Sequence, residues 1–229
     1  LFVQEEIDTT RLRMRDDVGT NVCLILVEQD TGRRAMFCHR RAPITGLVLE
    51  EADRAIIHSA RVLHLDGQFT PAAIQAAHWA REAYVKVCFD GNHPRPGLDE
   101  LLPLVDWLVV AESFPAAYTG LSNPEEAARG LLSTGAELLV ITQGEQGCQV
   151  WTMEDHFQVP GFDVTALDTT GAGDAFHGAL IHGMLQGWEL HQVASFANAV
   201  AAIDCQTLGG RRGLPTLSQV ETFLAVRQG

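Results

Sequence analysis

Between Asp168 and Leu180 the chain reads Asp-Thr-Thr-Gly-Ala-Gly-Asp-Ala-Phe-His-Gly-Ala-Leu. Two threonines and two glycines run into an acid, Asp174, and an apolar pattern at helical spacing follows. Ala175, Phe176, Ala179, Leu180, Gly183 and Met184 fall on one face, which predicts a helix opening near Ala172. A glycine-rich turn at a helix start aims unpaired backbone N–H groups at one point, where the positive end of the helix dipole also lies. That is an anion site made from main chain. With a carboxylate beside it to accept a proton, the stretch has the parts for phosphoryl transfer: charge develops on the transferred group while a hydroxyl nucleophile loses its proton. Gly-x-Gly alone is more often ordinary turn chemistry, and an acid in a first helical turn is ordinary dipole compensation. The length of the string favours chemistry.

Upstream, Val140 to Gly147 is a strand running into Thr-x-Gly-x-x-Gly. Its glycines, Gly144 and Gly147, permit close backbone approach to a ligand, and the Thr142 hydroxyl suits a phosphate oxygen. The same string also reads as plain hairpin chemistry. Nine histidines raise the question of a metal, but no His-x-x-x-His or His-x-His pair occurs. His177 and His182 do not closely share a helix face. Most histidines are expected to be satisfied or solvated; His177, one turn from Asp174, stands apart. No Gly-x-Ser-x-Gly elbow supports a serine hydrolase.

The elements that must position these residues alternate. Residues 21–28 and 34–39 read as a strand pair around a turn. A helix is expected over 50–60, a strand over 62–65 and a helix over 71–84 with Thr70 as its N-cap. Then come a strand over 85–89, a short helix over 98–104, a strand over 107–110, a helix over 124–133 and a strand over 138–142. An antiparallel pair over 147–151 and 157–159 precedes the central motif, and helices over 188–204 and 217–226 close the chain. Such alternation implies a parallel sheet covered on both faces, with ligands beyond the carboxyl ends of its strands. The half-polar pair at 21–39 stands apart and reads as part of a lid.

The chain has 229 residues with 46% hydrophobic and 20% charged content, enough for one sizeable core. A net charge of −13 opposes a nucleic-acid or anionic-membrane partner. No run reaches membrane-spanning length. Five cysteines, Cys23, Cys38, Cys88, Cys148 and Cys205, are scattered and mostly lie in apolar runs. Buried free thiols and a cytoplasmic location are therefore expected.

Residues 168–176 closely resemble the C-terminal signature of the ribokinase-like (PfkB) carbohydrate kinase family. The resemblance extends over the chain and is most specific in residues 140–215. It implies a three-layer α/β/α fold with a mostly parallel sheet and a small β lid, residues 16–43 being part of that lid. It also implies an ATP-dependent kinase acting on a hydroxyl of a small sugar. In this reading Asp174 is the general base, and the N–H groups of Gly171, Ala172 and Gly173 form the anion hole, which Gly173→Val is expected to strain severely. Thr142, Gly144, Gly147, Thr170, Asn198 and Gly210 are implied to bind the nucleotide, with Asn198 near the adenine. Asp168, with Thr170 and the loop over 209–215, is implied to hold a monovalent cation such as K⁺. Mg²⁺ would ride on the nucleotide phosphates. His39, Arg41 and Asn92 are candidate sugar contacts.

Two departures stand out. The family's Asn-x-x-Glu is Ala111-Glu112-Ser113-Phe114 here, leaving Glu112 to hold Mg²⁺ through water. Relatives resembling ketohexokinase and sulfofructose kinase also lack a strict version, which favours a ketose-like substrate. The family's first strand and Gly-Gly substrate motif have no counterpart, so residues 1–229 read as one N-terminally incomplete kinase domain. A nucleoside kinase of the same fold, and a nucleotide- or sugar-binding protein without catalysis, are the alternatives. A homodimer through the lid strands is expected.

Overall fold

The computed structural model describes residues 2–14, 16, 19–28, 34–39 and 46–227. Two strands, β1 (Val22–Val27) and β2 (Arg34–His39), pair antiparallel as a separate two-stranded sheet. After α1 (Glu51–Ser59) the alternation begins: β3 (Val62–Leu65), α2 (Thr70–Glu82), β4 (Lys86–Gly91), α3 (Leu98–Leu101), β5 (Trp107–Ala111), α4 (Phe114–Thr119), α5 (Pro124–Leu132) and β6 (Leu138–Thr142). Strands β7 (Cys148–Trp151) and β8 (His156–Val159) complete a six-stranded sheet in sequential order. Helices α6 (Ala172–Gln186), α7 (Leu190–Asp204) and α8 (Leu217–Arg227) follow.

Strands β3 to β6 are parallel, and β7 and β8 return antiparallel. The central parallel strands are continuous apolar runs, as burial on both faces requires. Alternation along them divides the core. Val87, Phe89, Leu108, Val110, Leu139 and Ile141 pack with α2, α3 and α5. Cys88, Trp107, Val109, Leu138 and Val140 pack with α6 and α7. The result is the expected three-layer α/β/α arrangement, with the carboxyl ends of four parallel strands along one rim.

Several expectations change. Cys23 and Cys38 are not buried free thiols. They face one another in the β1–β2 register and form a disulfide, because the apolar runs around them belong to a solvent-facing hairpin rather than to the core. Cys88 and Cys148 are buried thiols, as expected, while Cys205 is half-buried and in no disulfide among the described residues. Thr70 is the first residue of α2 and not its N-cap; Phe69 holds that position. Helix α4, which follows Ser113 and carries Pro115 in its first turn, was not anticipated. Helix α7 begins at Leu190, two residues late, since Gly187 ends α6 in a left-handed conformation and Trp188 N–H turns back to Gly183 O.

Candidate active site

Helix α6 opens at Gly171, whose φ of 88° is left-handed and which, having no side chain, leaves the helix start without a side-chain cap. A Cβ at Gly171 would lie 2.7 Å from both Cα and O of Gly210. Glycine is thus required twice, by φ and by the backbone of another glycine. Gly173, by contrast, has open space around it and an ordinary φ, so a small side chain there meets nothing. Of the two, Gly171 is the glycine that the chain's own backbone constrains.

Asp168 builds the seat for this turn. It is buried, its Oδ1 accepts Thr170 N–H and its Oδ2 accepts Gly209 N–H, each at 2.9 Å. One carboxylate therefore staples the loop after α7 onto the turn before α6. Leu167 N–H and Asp168 N–H also donate to Cys205 O. Of the turn's donors, Ala172 N–H reaches back to Thr169 O at 3.3 Å. Among the described residues, Gly171 N–H and Gly173 N–H have no such partner. Asp174 is exposed in the first turn of α6.

A second buried acid faces this region. Asp204, at the end of α7, is 1% exposed, and neither carboxylate oxygen has a hydrogen-bond partner. Burial first, then the charges of Asp168 and Asp174, push its carboxyl above the ordinary range. Sequence reasoning passed over it as one polar residue in an alanine-rich helix; an acid at a core-facing position was the signal. Arg211 and Arg212 are exposed, and both N–H groups return to Gly209 O.

The other expected residues divide. Glu112, just beyond β5, is exposed and accepts Gln143 Nε2 at 3.2 Å, linking the carboxyl ends of β5 and β6. Thr142 spends its hydroxyl on Val110 O at 3.3 Å. Gly144 is exposed with open space around it. Gly147 is buried, and a Cβ there would overlap Val159 O and Gly161 N, so the backbone it approaches is the chain's own. Asn198 is buried, and its amide donates to Val159 O and Pro160 O, both at 3.1 Å. It ties α7 to the end of β8. Phe114, at the position of the missing acid, is fully buried.

At the end of β4, Asn92 Nδ2 donates to Asp90 Oδ1 at 3.0 Å, and the same oxygen lies 3.3 Å from His177 Nε2. His177 is buried one turn along α6 from Asp174. This Asn92–Asp90–His177 chain joins the sheet rim to the central helix. The sequence held only two hints of it, the polar end of β4 and the place of His177. His39 is exposed on β2, whose described strand pairs only with β1. Arg41 lies outside the described residues.

The description "pfkB family carbohydrate kinase" matches residues 1–217. Fructokinase-2 of Zea mays is 29% identical over 232 residues, covering 90% of this chain and 69% of its own length. The ribokinase of Haemophilus influenzae is 27% identical over 230 residues, covering 97% and 75%. Among solved structures, fructokinase with bound ATP from Xylella fastidiosa superposes with a TM-score of 0.84 at 20% identity, covering 100% of this chain and 80% of that one. This last likeness concerns the fold. With the glycine turn, the exposed acid and the match over nearly the whole sequence in hand, the chain belongs to the pfkB family of carbohydrate kinases, phosphotransferases whose acceptor is an alcohol.

Proposed function

We propose that this chain transfers the γ-phosphoryl group of ATP to a hydroxyl of a small ketose-like sugar. One observation carries the reading: Asp174 stands exposed beside a left-handed glycine turn whose Gly171 and Gly173 N–H groups are unpaired among the described residues. Asp174 takes the proton of the acceptor hydroxyl as it attacks, and the two N–H groups stabilise charge on the phosphoryl oxygens in flight. Ala172 N–H, held by Thr169 O, keeps the turn in shape. Gly144 and the strand ends near Glu112 form the nucleotide side of the rim. The name fructokinase on several relatives supports a ketose.

When bound, Mg²⁺ would supply charge neutralisation to the phosphates. A single exposed carboxylate, Glu112, already holding Gln143, fits attachment through water rather than a protein cage. For a monovalent cation, the orphaned carboxylate of Asp204 near Asp168 fits a positive charge beside the loop over 209–213. The β1–β2 hairpin is read as part of a lid that excludes water, and its exposed Val22, Leu24, Leu26 and Phe37 as the face a second copy covers.

The test is ATP consumption against a panel of ketoses, aldoses and nucleosides. Turnover highest on a ketose is expected. Preference for nucleosides would replace the acceptor, and ATP binding without consumption on any acceptor would make this a binding protein.

A further inference from the structure

We propose that His64, Cys88 and His177 form a binding site for one zinc-type dication, with Asp90 as the carboxylate that orients His177. His64 and Cys88 are register partners on adjacent parallel strands, so both side chains leave the sheet on the same face. That face packs under α6, from which His177 descends. One donor atom from each of the three residues lies within 4.8 Å of the others, and the rings of His64 and His177 are 5.3 Å apart. Zinc bonds to nitrogen and sulfur of about 2.0–2.3 Å would draw the donors somewhat closer. His64, exposed on one side, has room to swing in.

His177 carries the independent observation. It is only 5% exposed, and its Nδ1 has no hydrogen-bond partner. Its other ring nitrogen, Nε2, lies 3.3 Å from Asp90 Oδ1. A buried imidazole with one nitrogen toward a carboxylate and the other unpartnered is the arrangement of a metal-ligating histidine. Two nitrogens and one sulfur suit zinc or cobalt and not Mg²⁺, which takes oxygen. The site is therefore chemically separate from the nucleotide's cation.

On coordination the Cys88 thiol releases its proton to buffer and the thiolate takes the metal. The ion would clamp β3, β4 and α6 together one turn behind Asp174.

The metal-free full chain, kept without thiol reductant, is titrated with Co²⁺ and followed by absorption. A thiolate-to-cobalt charge-transfer band saturating at one equivalent is expected, displaced by Zn²⁺ but not by excess Mg²⁺, with a Zn²⁺-dependent rise in melting temperature. Cys88→Ser abolishes the band, and Asp90→Asn weakens Co²⁺ binding about 10–100-fold. Absence of the band with Co²⁺ in excess, or its persistence in Cys88→Ser, overturns the proposal. Should Cys88→Ser not fold, the exposed-site variant His64→Ala decides: at least tenfold weaker binding supports the site, and unchanged affinity overturns it.

Discussion

At the scale of single residues, the site depends on two glycines pressed backbone to backbone and two acids in unlike surroundings. Gly171 combines a left-handed φ of 88° with a contact that a Cβ would bring to 2.7 Å from Gly210. Gly171→Ala should lower stability by about 1–3 kcal/mol from backbone strain, and by more where Gly210 is forced away. Gly173→Ala, with open space around it, should leave the urea midpoint within about 0.5 kcal/mol or raise it. Equal losses in the two variants would contradict this account of the turn. Asp204 gives a second test. Burial raises its native pKa above the unfolded value, so the native state binds more protons and stability falls as pH rises from the unfolded pKa through the native one. The penalty is complete above the native pKa. Asp204→Asn should therefore be more stable than the parent at neutral pH without K⁺, the difference vanishing toward acid. Thermal melts across pH check the sign, and added K⁺ should stabilise the parent more than the variant.

At the scale of elements, the hairpin and the main sheet face different problems. The six-stranded sheet buries its central strands between two helical layers. The hairpin has only two strands, joined across the pair by Cys23–Cys38, and exposes Val22, Leu24, Leu26 and Phe37. Two-stranded sheets are marginal alone, and four apolar side chains on a solvated hairpin favour self-association. Leu24→Lys with Phe37→Lys should convert a dimer to a monomer in analytical ultracentrifugation while leaving the melting of the α/β core nearly unchanged. A parent that sediments as a monomer at the same concentration contradicts a dimer through the hairpin.

At the scale of the molecule, long-period patterns were legible and contacts across them were not. Strand β6 was read with its observed ends, since a continuous apolar run closes at Thr142 before a glycine turn. The opening of α6 was read from the glycine turn itself. Helix α4 was missed because Pro115 and only six helical residues give too short a window for periodicity. The cysteine reading failed because it weighed local hydrophobicity and not the register, which pairs Cys23 with Cys38. Asn198 ties α7 to the end of β8, and Gly147 lies against Val159 and Gly161; neither contact was legible, since a side-chain amide or a glycine carries no mark of which partner it meets. His64, Cys88 and His177 come from three elements, and no local spacing announces their meeting.

The proposed transfer rests on Asp174, beside the glycine turn, taking the proton of the acceptor hydroxyl. The most direct measurement compares Asp174→Asn with the parent in phosphoryl transfer from ATP to the best sugar of the panel, with ATP affinity measured by calorimetry on both. Turnover lower by about 10²–10⁴-fold is expected, the usual contribution of a general base, with ATP affinity nearly unchanged. Near-parental turnover in the variant would contradict it.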